Sequence, residues 1–276
     1  MQRRFVQLDV FTNEVLLGNP LAVVIDADGL NTSQMQRFAN WMNLSETTFL
    51  LPPGDSAADY RVRIFTPTEE LPFAGHPTLG SAHAWLTHVG LPRQPKQIVQ
   101  ECGVGLVKVR RDNQVLAFAA PPLLRSGPVD EPIVIQATES LGIARSSVLD
   151  AAWVDNGPGW LGLLLSSAAE VLAIQPRSIG LPIGIIGPCS EGSPFAFEVR
   201  AFYSANGVTF EDPVTGSLNA SLAQWLIGSG RATAPYLATQ GSVLGRAGVV
   251  RINTDESGTV WVGGDVVPCI SGTVNI

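Results

Sequence analysis

The sequence of 276 residues predicts an α+β protein built from two similar lobes. A short frame of residues occurs once in each half, about half the chain length apart. Strand-like patterns dominate both halves, and one long helix-like stretch follows each copy of the frame. We therefore expect two pseudo-symmetric lobes, each a mixed β-sheet curled around a central helix. The expected lobes are residues 1–121 and 122–276, with the first or last strand able to cross over.

The repeated frame is an ionisable residue, Pro, two further residues, Gly, Ser and an apolar run. Its copies are Gly75-His76-Pro77-Thr78-Leu79-Gly80-Ser81-Ala82 and Glu211-Asp212-Pro213-Val214-Thr215-Gly216-Ser217-Leu218. Pro is favoured in the first turn of a helix, so we expect His76 and Asp212 at N-cap-like positions. Helix starts present unpaired N–H groups that attract anions. Two such starts would form a carboxylate-sized site between the lobes, flanked by His76 and Asp212.

The elements of the first half follow from local patterns. Turn signals occur at Gly18-Asn19-Pro20, and Asn31, Thr32 and Ser33 can cap a following helix. The expected order is strands at 5–11 and 21–26, a helix at 35–42, strands at 47–51 and 59–65, the helix behind His76, and two or three antiparallel strands within 97–120. The last group is expected to turn at 103–105 and at Asp112-Asn113.

The turn-rich segment from Pro121 to Pro132 is the best linker candidate. After it, the second half is expected to repeat the mixture of strands and helices of the first half. The expected elements are a helix at 133–141, strands at 161–165 and 195–203, the helix behind Asp212, and a strand-rich tail at 243–274. Residues 157–162 match the pattern G-x-G-x-x-G. A strand follows them where a dinucleotide site needs a helix, so no nucleotide site is expected there.

Charge and cysteine usage exclude several classes of function. The net charge of −7 argues against a nucleic-acid partner. The longest apolar runs fall far short of the roughly 20 residues of a membrane helix. No apolar signal segment follows Met1, so we expect a cytoplasmic protein without a membrane partner. Cys102, Cys189 and Cys269 share no close spacing, which indicates neither a disulfide framework nor a zinc site.

Several titratable residues compete for a functional role. His76 is suited to proton transfer near neutral pH. Asp is also a preferred N-cap residue, and Glu211 competes with Asp212, but the alignment on Pro favours Asp212. Glu46 lies where a helix ends and a strand begins, a position where Glu is usually solvated. His83 shares a helix face with His76 but has no carboxylate beside it, so no metal site is expected.

With these residues in view, the chain resembles the PhzF family of phenazine-biosynthesis isomerase-like proteins over essentially its whole length. The stretches that carry the resemblance are 18–20, 43–49, 63–67, 73–80, 211–217 and 240–246. The resemblance implies the diaminopimelate-epimerase fold, with the active site in the cleft between lobes. In the related epimerases two thiols form the acid/base pair. Here His76 and Asp212 stand at those places, which disfavours a two-thiol racemase.

The resemblance also implies roles for individual residues. In the phenazine enzyme, the residue that matches Glu46 moves a proton within a cyclohexadiene carboxylate. The implied catalytic residues are Glu46, His76 and Asp212, and the implied substrate-binding residues are Asn19, Gly75, Gly216 and Ser217. No cofactor or metal is implied, and homodimers are common in the family. A proton carrier of this kind is expected to be buried enough to raise its pKa.

Three functions stay open from the sequence. The favoured one is a cofactor-independent isomerase of a small cyclic or unsaturated carboxylate, similar to trans-2,3-dihydro-3-hydroxyanthranilate isomerase. The second is a non-catalytic protein that binds a small carboxylate or a partner on the same scaffold. The third is an amino-acid epimerase that uses His76 and Asp212. The presence of Glu46 with this pair favours the first, while the substrate and the roles of His83 and Glu70 stay open.

Overall fold

The computed structural model describes residues 1–112, 115–205 and 207–276. The chain divides into two compact units, of which the first holds residues 1–119 and 263–276 and the second holds residues 120–262. Each unit is a mixed β-sheet with few helices, which confirms the α+β class. The turn expected at Asp112-Asn113 lies partly outside the described residues.

Two helices accompany the strands of the first unit. In chain order its elements are β1 (Gln2–Val10), β2 (Asn19–Val24), α1 (Thr32–Met42), β3 (Glu46–Leu51), β4 (Tyr60–Phe65), β5 (Glu70–Leu71), α2 (Gly75–His88), β6 (Gln97–Cys102), β7 (Gly105–Asp112) and β8 (Val115–Ala119). Helix α1 begins with a capping box in which Asn31 and Gln34 bond to each other's backbone N–H groups.

The remaining elements complete the second unit and return to the first. They are β9 (Arg125–Pro128), α3 (Glu131–Leu141), β10 (Val148–Asp155), β11 (Leu161–Leu165), α4 (Ala168–Ala173), β12 (Ile183–Pro188), β13 (Phe197–Ala205), β14 (Val208–Asp212), α5 (Gly216–Gly228), β15 (Tyr236–Gln240), β16 (Gly248–Thr254), β17 (Val260–Gly264) and β18 (Val266–Asn275). Strand β18 pairs with β1 and belongs to the first unit.

The two sheets share one order of pairing. In the first unit β1 lies between β18 and β2, β2 runs parallel to β3, and β4 runs parallel to β6. In the second unit β10 lies between β9 and β11, β11 runs parallel to β12, and β13 runs parallel to β15. Parallel neighbours need crossover connections. Helices α1 and α2 provide them in the first unit, and α4 and α5 provide them in the second.

Helix α2 is the central helix of the first unit. It contacts β1 to β4, β6 to β8 and β18, and most of its residues from Gly75 to Trp85 are buried. Helix α5 has the same character in the second unit, with buried residues from Gly216 to Leu226. A helix that is apolar on all sides is typical of such an enclosed position. Each frame copy therefore leads into a helix that is largely buried in its own unit.

Three local predictions were wrong. Helix α2 begins at Gly75 with Ala74 as its N-cap, so His76 lies inside the first turn. Helix α5 begins only at Gly216, and Asp212 is the last residue of β14, so it does not cap the helix. The turn-rich linker candidate contains β9, because residues 125–128 are extended and pair with β10.

The glycine of the first frame copy allows α2 to approach the sheet closely. A Cβ atom at Gly80 would lie 2.5 Å from Leu21 Cδ2 and 3.1 Å from Val10 Cγ2. We predict that Gly80→Ala lowers the free energy of unfolding by about 1–3 kcal/mol, although Ala favours helix more than Gly does. Urea denaturation followed by circular dichroism measures the change.

The matched control is Gly228→Ala at the end of α5. Apart from its chain neighbours and the backbone of its own helix, no atom of the described residues lies within 4 Å of the added Cβ there. This variant is expected to be neutral or more stable by up to ~1 kcal/mol. A Gly80→Ala protein as stable as Gly228→Ala would show that the close approach of α2 does not depend on glycine.

Candidate active site

Three of the predicted site residues meet in the first unit. Glu46 Oε2 lies 3.4 Å from His76 Nε2, and Asn19 Nδ2 lies 3.5 Å from His76 Nδ1. Asn19 and Glu46 are the first residues of β2 and β3. These two strands are parallel neighbours, so their first residues lie at the same end of the sheet. The first turn of α2, which carries His76, lies at this end as well. The imidazole is therefore held between an amide and a carboxyl group.

Burial determines the charge of His76. The residue is only 5% exposed, and burial lowers the pKa of His76 to about 3. The Glu46 carboxyl group acts in the opposite direction when ionised, but its side chain keeps 16% exposure, whereas the imidazole is enclosed. Desolvation prevails, so the ring is neutral at pH 7.

The neighbours of His76 also indicate its tautomer. With the amide nitrogen of Asn19 directed at Nδ1, that ring nitrogen accepts, and a neutral ring then carries its proton on Nε2. The Nε2 atom faces Glu46 Oε2. The Nε2–H group of the neutral ring is therefore directed toward the carboxylate when Glu46 is ionised.

The start of α2 gives this cluster an electropositive side. The N-cap residue Ala74 makes no side-chain cap hydrogen bond within the described residues. The N–H groups of Gly75 and His76 stand at the positive end of the helix dipole. A small anion can be bound at such a place. Gly75, predicted to bind substrate, thus directly precedes His76 in the same turn.

The other predicted residues form a second cluster, in the second unit. Asp212 Oδ2 accepts a hydrogen bond from Thr215 Oγ1 at 2.6 Å. Gly216 is buried at the start of α5. The hydroxyl of Ser217 accepts from Trp160 Nε1 at 3.1 Å, and its carbonyl accepts from Asn156 Nδ2 at 2.8 Å. The loop between β10 and β11 therefore holds the start of α5.

A buried glutamine explains why Asp212 does not cap α5. The side chain of Gln240 accepts from the Thr215 N–H at 3.0 Å and donates to the Asp212 carbonyl at 3.0 Å. These bonds satisfy the backbone between Asp212 and Thr215 without a helical turn. Asp212 stays at the end of a strand, and α5 starts later than the frame predicts.

Glu211, the sequence competitor of Asp212, is occupied elsewhere. Arg200 Nε and Nη2 donate to its two carboxylate oxygens at 2.8 and 2.7 Å, and both side chains are nearly buried. Arg200 also donates to the carbonyls of Val171 and Ile174 near the end of α4. Such a bidentate, desolvated pair fixes the carboxylate in a structural role.

The sequence left the roles of Glu70 and His83 open. In the structure Glu70 forms an ion pair and His83 is partly buried. Glu70 accepts two hydrogen bonds from Arg63, at 2.7 and 2.5 Å. Burial, assisted by His88, lowers the pKa of His83. Among the residues that the structure describes, no three His, Cys, Asp or Glu side chains form a metal-binding group. No described helix is long and apolar enough to cross a membrane.

Sequence reasoning missed three side chains around the second cluster. Asn156 and Trp160 lie at the loop with the G-x-G-x-x-G pattern, whose only sequence signal concerns nucleotide binding. Strand β11 follows that loop, as the sequence predicted. Gln240 lies in one of the stretches that carry the family resemblance, but it received no role. An amide buried in a strand gives little signal, because its partners are distant in the chain.

The buried neutral state of His76 predicts a specific loss of stability in acid. Its pKa is about 3 when folded and about 6.5 when unfolded, so the unfolded state binds the proton more readily. Stability from this group is complete above pH 6.5 and is lost as pH falls toward 3. We expect His76→Gln to lose about 2 kcal/mol less than wild type between pH 7.5 and pH 5. Urea midpoints at both pH values measure this.

His88→Gln is the control, because His88 is exposed near the end of the same helix. Its urea midpoints are expected to follow those of wild type at both pH values. Equal acid losses in wild type and His76→Gln would show that His76 is not held neutral by burial.

Comparison with known sequences places these clusters in context. The family model described as phenazine biosynthesis-like protein (PhzC-PhzF) matches residues 8–272. A Schizosaccharomyces pombe protein named Antisense-enhancing sequence 1 is 36% identical over 295 residues, which cover 98% of this chain and 98% of the relative. Trans-2,3-dihydro-3-hydroxyanthranilate isomerase of Pseudomonas aeruginosa is 37% identical over 226 residues, 80% of this chain and 78% of the relative.

Solved structures confirm the fold. A Bacillus anthracis phenazine biosynthesis protein of the PhzF family has a TM-score of 0.84 at 22% identity, with both chains fully covered. A hydroxyproline epimerase from Agrobacterium vitis has a TM-score of 0.58 at 14% identity, covering 99% of this chain and 92% of the other. At these identities the likeness concerns the fold alone.

Proposed function

Since the chain belongs to the phenazine biosynthesis-like (PhzC-PhzF) family and is a PhzF-like isomerase, we propose that it moves a proton within a small cyclic or unsaturated carboxylate. The observation that carries the proposal is the 3.4 Å approach of Glu46 Oε2 to His76 Nε2 beside the start of α2. The proposed substrate resembles trans-2,3-dihydro-3-hydroxyanthranilate, on which the named relatives act.

Glu46 is the proposed proton carrier. Its carboxylate takes a proton from one carbon of the substrate, and the electron pair of that C–H bond shifts through the adjacent double bond. The protonated Glu46 carboxyl group, whose proton can exchange with solvent, then donates a proton to the carbon at the far end, so that one C–H bond breaks and another forms. The step transfers no net electrons between molecules, so it needs no redox cofactor. Partial burial of Glu46 favours this role, since a desolvated carboxylate is a stronger base.

His76 and the start of α2 hold the reactants in this proposal. The neutral imidazole presents Nε2 to Glu46 and Nδ1 to Asn19, so that the carboxyl group of Glu46 lies beside the ring. The N–H groups of Gly75 and His76 bind the substrate carboxylate. His76 therefore orients the base, while the helix start orients the substrate.

The proposal extends to Asp212, which stands at the place of His76 in the second frame copy. Thr215 donates to its Oδ2, which favours the ionised carboxylate. Asp212 is proposed as the second acid/base group, with Gly216 and Ser217 as binding residues. The homodimer implied by the resemblance also stays a prediction, which light scattering on the purified protein can test.

Replacing Glu46 tests the proton carrier. Glu46→Gln keeps the shape of the side chain and removes the base. The turnover number is expected to fall by at least ~100-fold, because general base catalysis typically contributes ~10²–10⁴-fold. The free energy of unfolding should change by no more than ~1 kcal/mol. Deuterium incorporation from D₂O into trans-2,3-dihydro-3-hydroxyanthranilate, followed by NMR, measures the reaction.

Glu70→Gln is the matched control, since Glu70 is a carboxylate of the same unit that pairs with Arg63. Its turnover should equal that of wild type. Unchanged turnover in Glu46→Gln would exclude Glu46 as the base and favour an epimerase-like pair of His76 and Asp212. Failure of the wild type to exchange protons in any cyclic or unsaturated carboxylate tested would contradict the substrate class.

A further inference from the structure

Each unit buries one glutamine on the strand that follows its central helix. Gln100 lies in β6 and Gln240 in β15, and both are fully buried. The two strands hold matching places, since β6 runs parallel to β4 and β15 runs parallel to β13. A buried amide is costly unless its hydrogen bonds are made. Their partners therefore indicate what these residues do.

Gln240 makes four hydrogen bonds around the loop that carries Asp212. Oε1 accepts from the Thr215 N–H at 3.0 Å and from Asn219 Nδ2 at 2.9 Å. Nε2 donates to the Asp212 carbonyl at 3.0 Å and to Thr215 Oγ1 at 2.9 Å. A backbone N–H can only donate and a carbonyl can only accept. The orientation of the amide is thereby fixed from both ends.

This orientation fixes the direction of the next hydrogen bond. Because Nε2 donates to Thr215 Oγ1, the single hydroxyl proton of Thr215 is free to point at Asp212 Oδ2, 2.6 Å away. The chain of donors therefore runs from Gln240 through Thr215 to the carboxylate. Successive hydrogen bonds of one direction strengthen one another.

We propose that Gln240 is a positioning residue that acts through Thr215 to hold Asp212 in place and to keep it ionised. The catalytic meaning of this role rests on the proposed function, in which Asp212 is an acid/base group. The donor chain itself is a property of the folded second unit and can be tested without a substrate.

The first unit has the same chain of hydrogen bonds from a glutamine through a threonine, but the chain finishes on a different acceptor. Gln100 Nε2 donates to Thr78 Oγ1 at 3.0 Å, and the Thr78 hydroxyl donates to the Ala74 carbonyl at 2.9 Å. Tyr60 donates its hydroxyl to Gln100 Oε1 at 2.7 Å, which again fixes the amide. The chain here ends on the backbone two residues before His76. The repeated arrangement thus ends on the backbone that precedes His76 in one unit and on the carboxylate of Asp212 in the other.

Carboxyl ¹³C NMR titration of the intact protein tests the proposal. The Asp212 resonance is assigned by its loss in Asp212→Asn. Thr215→Val removes the donor to the carboxylate, so its titration midpoint should rise by about one pH unit relative to wild type. Gln240→Met removes the first donor and should move the midpoint in the same direction. Thr215→Ser keeps the hydroxyl and should restore the wild-type midpoint.

A double variant tests whether Gln240 acts on Asp212 through the hydroxyl of Thr215. In the double variant of Thr215→Val and Gln240→Met, the midpoint should equal that of Thr215→Val alone, since Gln240 acts through the hydroxyl. Gln100→Met is the matched control, because it deletes the equivalent buried amide and should leave the Asp212 midpoint unmoved. If Gln240→Met does not fold, Gln240→Leu removes the amide donors without adding a charge and should also raise the midpoint.

Two results would overturn the inference. One is an Asp212 midpoint unchanged in Thr215→Val and in the Gln240 variants, which would leave Gln240 a merely structural residue. The other is an equal shift in Gln100→Met. Failure of the proposed function looks different, since Asp212→Asn would then keep full deuterium exchange while the titration shifts remain.

Discussion

The enclosure of one helix by a curled sheet is the constraint on which the rest of this structure depends. Helix α2 touches strands on every side and can do so only because residues such as Gly80 leave no side chain between helix and strand. Enclosure brings the first turn of the helix to the edge where β2 and β3 begin. His76 is thereby desolvated, and Glu46 and Asn19 are placed against it. The chemistry of the cluster follows from packing, because the same burial that stabilises α2 keeps the imidazole neutral.

The backbone polar groups at a buried helix start need hydrogen-bond partners. The two units provide such partners in the same way. A glutamine on the following strand reaches back through a threonine hydroxyl in both units. The chains end differently, on the Ala74 carbonyl in one unit and on the Asp212 carboxylate in the other. A duplicated scaffold can thus present two unlike groups, one neutral base and one carboxylate, without a change in its sheet topology. The difference arises from the residues at the helix start.

The sequence predicted what depends on local patterns and on the repeat. Strand β11 and helix α1 follow from apolar spacing and capping, and the α+β class follows from their sum. Strand β12 was missed, because a continuous apolar run such as 183–186 lacks the alternation that marks a strand. The start of α5 was placed too early, since the frame could not reveal that Gln240 replaces the first helical turn. The meeting of Asn19, Glu46 and His76 is a tertiary fact. The family resemblance pointed to Asn19, and it favoured Glu46 as a functional residue over a solvated one at the start of a strand.

Glu211 and Asp212 show why two carboxylates that are adjacent in the chain can have different roles. Glu211 and Asp212 alternate across β14, so their side chains leave the strand on opposite faces. Glu211 meets Arg200, whose Nη1 donates to carbonyls near the end of α4, and the bidentate, desolvated pair holds this carboxylate in a structural role. Asp212 instead meets a hydroxyl, which stabilises its charge without neutralising it. Strand alternation therefore separates the structural carboxylate from the one suited to acid/base work, although the two are adjacent in the chain.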